Sequence, residues 1–217
     1  SATATPPNLV GAFVYNKVTD CTAGKTDDKF CGNWDLPCAA AETDADEHST
    51  YAITGDPDLA TGLGGGRFTQ TRTIFDGGFG CTQQHQQLQV ISDGYWSTFN
   101  TKIPTTGAYN VEIIFYTTTI TLYTQDQVTL FMDLNKGCRC DGTWSVNVPR
   151  TLTSCIGTCP MATSYVDGSQ FATPLFGNIV VQDLPLSLRL TRPLQATEQA
   201  GYAQAFAITD TPYPRNL

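Results

Sequence analysis

"AYNVEIIFYTTTITLY", residues 108–123, is the stretch from which the fold is read. Val111, Ile113 and Phe115 recur at every second position, the spacing of one face of a β-strand. The apolar phase then shifts to Ile120 and Leu122. Side chains alternate with a period of 2, so a change of phase inside an extended run predicts a β-bulge or a tight turn near Thr117–Thr119. Glu112, between Val111 and Ile113, is the most unusual acid of the chain, and the alternation puts it on the outward face.

The same periodicity extends to both sides. "LPLSLRL" (184–190) sets Leu184, Leu186, Leu188 and Leu190 on one face, and "QVTLFMDL" (127–134) aligns Val128, Leu130, Met132 and Leu134. "LVGAFVY" (9–15), "RFTQTRTIF" (67–75), "QQLQVI" (86–91) and "YAQAFAI" (202–208) read as further strands. Turn chemistry separates them at Asp76-Gly77-Gly78, Asp93-Gly94, Thr106-Gly107 and Asn135-Lys136-Gly137. Residues 16–47 read as a long loop holding one short helix in "LPCAAAETDADEH". Residues 156–183, rich in Gly, Pro, Ser and Thr, read as a long crossover. The expectation is an all-β chain: residues 1–217 as one antiparallel β-barrel of about eight strands, with long loops at 16–47 and 156–183. A barrel of that size encloses side chains or one small ligand.

Charged residues make up 15% of the 217, and the net charge is −8. Nucleic acid is not the expected partner, because releasing counterions from phosphates requires clustered Lys and Arg, and the 12 here are scattered. No run of 18 apolar residues occurs, so no membrane-spanning helix is expected. The sequence opens on Ser1-Ala2-Thr3, which reads as a chain whose signal peptide has been removed.

The eight cysteines are Cys21, Cys31, Cys38, Cys81, Cys138, Cys140, Cys155 and Cys159. An even number in a chain poor in Lys and Glu reads as a disulfide framework, so a secreted, extracellular protein is expected. Cys138-x-Cys140 with Cys155-x3-Cys159 lacks the Cys-x2-Cys spacing of tetrahedral zinc sites, and His48 and His85 have no partner at ligand spacing. No metal is expected. Cys21–Cys81 is the favoured pair, bracketing the first strands. Cys138, Cys140, Cys155 and Cys159, or three of them with Cys31 or Cys38, should tie the segment around Trp144 to the crossover.

Catalytic signals are weak. No Gly-x-Ser-x-Gly occurs, His85 in "TQQHQQ" reads as an exposed strand start, and "TDADEH" lacks the Gly and distal Glu of a calcium loop. No catalytic residue is assigned. What remains is a lining. In "YAQAFAI", Ala203, Ala205 and Ala207 leave one face small, and unfilled volume in a barrel invites a ligand. The candidate ligand-binding set is Phe13, Tyr15, Trp96, Phe115, Phe131, Tyr202 and Phe206, with Gln204 as a polar contact. No covalent cofactor is expected; the bound molecule would be a lipid or a pigment. Two other readings stand beside this: a secreted enzyme of oxidase or luciferase type acting on such a ligand, and an extracellular module that binds a protein partner.

The order of segments resembles the adenomatosis-polyposis-coli-down-regulated (APCDD) family. "LVGAF" followed by Cys21 is similar to that family's Leu-x-Gly-x-Trp…Cys opening, with Phe13 in place of Trp and without the Glu-x-Arg-Pro run. "RFTQTRTIFDGGFGCTQQHQQLQVISDG" resembles its hairpin, and "CRCDGTW" with "VPRTLTSC" resembles its Cys-x-Cys-x-Gly-x-Trp segment. Gly11, Cys21, Cys81, Gly94, Cys138, Cys140, Trp144 and Cys155 would carry over. The resemblance implies a lipocalin-like barrel, secreted or at the cell surface, that holds a hydrophobic ligand. It also implies a relation to antagonists of a lipid-modified signal such as Wnt.

Overall fold

Strands β1 (Gly32–Glu42), β2 (Ala45–Ile53), β3 (Gly64–Asp76), β4 (Gln86–Phe99) and β5 (Tyr109–Leu122) follow one another as an antiparallel meander. After β5 come helix α1 (Gln125–Met132), the short β6 (Arg150–Leu152), β7 (Leu175–Asp183), β8 (Leu186–Leu190), helix α2 (Glu198–Tyr202) and the short β9 (Tyr213–Pro214). The computed structural model describes residues 30–42, 44–55, 64–99, 107–133, 138, 140, 142–153, 173–183, 186–191, 194–203 and 213–214. The sheet runs β1-β2-β3-β4-β5-β7-β8-β9, and β9 returns to lie against β1, so eight strands form a nearly closed barrel. β6 pairs with Thr118–Ile120 of β5, while β7 pairs with Tyr109–Ile113 further back along the same edge.

The phase shift in 108–123 has a structural cause. Gly94 of β4 faces Phe115 and Asp93 faces Thr117, so Tyr116 is an extra residue, a bulge. Before it Val111, Ile113 and Phe115 point inward, and after it Thr118, Ile120 and Leu122 do, all buried. Asp93-Gly94, expected to make a turn, instead lies inside the 14-residue β4, opposite this bulge.

Three further expectations are corrected. Gln127–Met132 of "QVTLFMDL" belong to helix α1: Thr124 caps it by accepting a hydrogen bond from the Gln127 amide, and Asp126 sits in the first turn. Val128 and Phe131, three apart, are its buried pair, whereas Leu130 and Met132 are exposed. The expected loop at 16–47 contains all of β1 and the start of β2, which pair from Gly32↔Ile53 to Glu42↔Ala45, so strand stands where a short helix was expected in 36–48. The part of the expected crossover at 175–183 is β7, with Leu175–Val180 all buried. The proposed strand 9–15 lies outside the described residues. Of 202–208, Tyr202 ends helix α2, and Gln204–Ile208 lie outside them.

Cys81 pairs with Cys38, not with Cys21. The bridge ties β1 to the turn between β3 and β4, across β2, and closes a separation of 43 residues. On the chain-entropy estimate that contributes about 4 kcal/mol. Cys31, Cys138 and Cys140 are also disulfide-bonded. The Sγ atoms of Cys138 and Cys140 are 3.2 Å apart, too far to be bonded to each other. Cys21, Cys155 and Cys159, and with them the pairing of the remaining cysteines, lie outside the described residues.

Candidate functional site

The interior has three levels, which follow from strand alternation and register. At one end Trp34, Tyr51, Ile53, Phe68, Trp96, Val111, Ile113 and Phe115 form an aromatic-rich cluster, closed by Leu175, Ile179, Leu188 and Leu190 from β7 and β8. At the other end Ile74, Leu88, Val90, Ile120 and Leu122 meet Val128 and Phe131 of α1 and the segment around Trp144. Trp144 stands edge-on to Phe131 at 5.1 Å, and the Arg150 guanidinium lies 4.7 Å from the Trp144 ring centre. The described part of the cysteine-rich segment, with Cys138, Cys140, Trp144 and Leu152, therefore plugs the barrel floor.

Between the two clusters runs a polar belt. Ser49, Gln70, Ser92 and Thr118 occupy inward positions on β2 to β5, each no more than 2% exposed. Gln70 donates to the Tyr51 hydroxyl, and the Ser92 and Thr118 hydroxyls lie 3.3 Å apart. Beside them is an ion pair. Arg72 Nε and Nη2 each donate to a different oxygen of Glu47 at 2.7 Å, and the Ser49 hydroxyl donates to Glu47 Oε1. Only 13% of the Arg72 side chain and 10% of the Glu47 side chain meet solvent. A planar fork on a carboxylate is the strongest arrangement available to such a pair.

Phe30 fills the upper cluster from outside the strand ladder. It sits just before β1, is 1% exposed, and places its ring edge-on to Trp96 at 5.9 Å and to Tyr109 at 5.6 Å. Its carbonyl accepts a hydrogen bond from Trp34 Nε1 at 2.9 Å. A ring that belongs to no strand completes the barrel core.

Of the residues expected to line one cavity, the four described ones fall in three places. Trp96 and Phe115 are in the upper cluster with Phe68, which stands 6.2 Å from Phe115. Phe131 belongs to the floor plug. Tyr202 is on the outer surface: it packs edge-on to Phe176, whose register partner is the outward-facing Glu112. Phe13, Tyr15, Gln204 and Phe206 lie outside the described residues. Sequence reading missed Phe30, Trp34, Tyr51, Glu47 and Arg72 as interior groups. The available signal was alternation of Glu47, Ser49, Tyr51 and Ile53 against His48, Thr50 and Ala52, which a purely hydrophobic pattern hides.

Outside the barrel, His48, Glu112 and Tyr202 are shifted by defined neighbours. The His48 ring lies 2.5 Å from an Asp35 carboxylate oxygen, and this hydrogen bond raises the imidazole against an opposing effect of burial, with the Asp35 charge adding to the rise. Burial raises the Glu112 carboxyl, helped by the Glu198 charge. Burial also pushes the Tyr202 hydroxyl up to about 12, with Glu198 and Glu112 contributing. Among the described residues, no three His, Cys, Asp or Glu side chains converge as a metal set, and no helix is long and apolar enough to cross a membrane.

Fold and interior together define a nearly closed, disulfide-braced antiparallel β-barrel with an amphipathic interior. No family model matches the chain, and no curated protein matches it.

Proposed function

We propose that this protein is an extracellular binding barrel that takes one small, largely apolar molecule with a polar end, of the lipid or pigment class, into its upper chamber. The observation that carries the reading is Phe30: a ring from outside the strand ladder is packed into the aromatic cluster, edge-on to Trp96. A ligand would displace it and stack on Trp34, Trp96, Phe68 and Phe115, its polar end turned to the Gln70–Tyr51 and Arg72–Glu47 groups. Interiors of this kind, mostly apolar with few polar groups, favour orientation of one small molecule. Burying roughly 300 Å² of apolar ligand surface contributes about 7 kcal/mol before ordering costs, consistent with micromolar-scale binding. The disulfide framework supports an extracellular setting, and the resemblance to the APCDD family supports the same class of ligand.

The test is titration with cis-parinaric acid, a fluorescent fatty acid, followed by energy transfer from the buried tryptophans. Saturable transfer at about one probe per chain supports the proposal. No transfer at micromolar protein and probe would overturn it.

A further inference from the structure

The bulge that shapes the interior also shapes the outer face. A depression of about 370 Å³ lies there, lined by Arg67 and Thr69 of β3, Asp93 and Tyr95 of β4, and Tyr116 and Thr117 of β5. Arg67 pairs in register with Tyr95, Thr69 with Asp93, and Asp93 with Thr117, so these residues form one contiguous outward patch. Tyr116, the bulge residue, is 44% exposed and meets Tyr95 edge-on, with ring centres 5.4 Å apart and planes at 70°. Thr69 donates its hydroxyl to Asp93 Oδ1 at 2.6 Å, which fixes that carboxylate and leaves its second oxygen to accept from elsewhere. Arg67 makes no ion pair among the described residues, although an aspartate lines the same depression.

From this we infer a surface site for a neutral saccharide, distinct from the barrel interior and independent of the ligand proposed for it. The ligand class follows from the chemistry of the walls. One carboxylate opposed by one guanidinium disfavours a ligand with net charge of either sign. The exposed Tyr116 ring, braced edge-on by Tyr95, gives an apolar face for the C–H face of a pyranose, while Asp93 accepts from and Arg67, Thr117 and the tyrosine hydroxyls donate to the sugar's hydroxyls. An apolar ligand would leave those polar groups desolvated and unpaired, which costs binding energy. The volume lies near the lower end of small-molecule sites, about 300–1,000 Å³, and suits one or two sugar rings. A ligand in so open a depression stays partly hydrated, so dissociation constants of about 0.1–1 mM are expected.

The experiment is an amide-detected NMR titration of the full chain with maltotriose, cellotriose and tri-N-acetylchitotriose, each taken to about ten times that range. At least one trisaccharide should give saturable shifts centred on Arg67, Thr69, Asp93, Tyr95, Tyr116 and Thr117. Tyr116→Ala and Asp93→Asn should each weaken it about tenfold or more, and Phe79→Ala, at an exposed ring on the β3–β4 turn, should leave it unchanged. Tyr116 is exposed enough for its truncation to leave the fold intact, which amide dispersion in the same spectra checks. No saturable shift at these residues with any of the three sugars, or full binding by Tyr116→Ala, overturns the inference.

Discussion

Arg72 and Glu47 form an ion pair in the interior of a barrel whose remaining inward residues are mostly apolar, and its energetics can be measured by a double-mutant cycle. Truncating either partner leaves the other charge in a site with about a tenth of its surface exposed. Breaking a buried pair in this way costs about 3–5 kcal/mol, whereas replacing both partners by apolar groups of similar size is often neutral or stabilising. Arg72→Met and Glu47→Leu should therefore each lose about 3–5 kcal/mol. The double variant should recover at least about 3 kcal/mol of the summed loss. The Ser49 hydroxyl, which donates to Glu47, loses its acceptor in Glu47→Leu, and this adds about 1 kcal/mol to that arm. Urea unfolding followed by tryptophan emission reads these values, because Trp34 and Trp96 report the upper cluster and Trp144 the floor. Single variants within about 1 kcal/mol of wild type would mean that the pair behaves like a surface ion pair. That result, or a double variant as unstable as the sum of the singles, would refute the placement of the pair. A double variant that is stable yet no longer takes up parinaric acid would assign the pair to ligand orientation.

Three predictions concern pH. The His48 value is raised above the usual 6.5, so the stability its Asp35 hydrogen bond supplies is complete below pH 6.5 and is lost as pH rises through the raised value. Thermal melts of wild type should show this decline, and His48→Gln should not. Glu112 and Tyr202 are both raised, so each favours its protonated form in the folded state. Tyr202 should cost stability between pH 10 and about 12, a slope absent from Tyr202→Phe. Glu112→Gln should raise the melting temperature at pH 7 by removing a carboxylate that burial and Glu198 both disfavour, and should gain nothing at pH 3.

The sequence disclosed β3, the first half of β4 and β5 because their inward residues are hydrophobic enough to show a period of 2, and even the bulge at Tyr116 announced itself as a change of phase. The β1–β2 hairpin was hidden because half of the inward face of β2 is Glu47 and Ser49, which pair with Arg72 and each other rather than with water. In 127–134 the apolar residues satisfy a strand pattern and a helix pattern at once. Thr124 and Asp126, a cap and a first-turn acid, were the signals that separate the two. The Cys38–Cys81 pairing was not legible, since it depends on the bulges that bring β1 over the β3–β4 turn. Trp96 and Phe115 were found as interior aromatics. Phe30 escaped because no strand pattern includes it.

The place proposed for the ligand is the one Phe30 fills, and the variant Phe30→Ala tests this most directly. Removing a ring that is 1% exposed should destabilise the free chain by about 3–5 kcal/mol, because the ladder around it cannot fully close the gap. The same change removes the cost of displacing the ring, so cis-parinaric acid should bind at least about tenfold more tightly than to wild type. Loss of stability together with tighter binding is the predicted result. Equal or weaker binding by the folded variant would contradict the account and make Phe30 an ordinary part of a closed core.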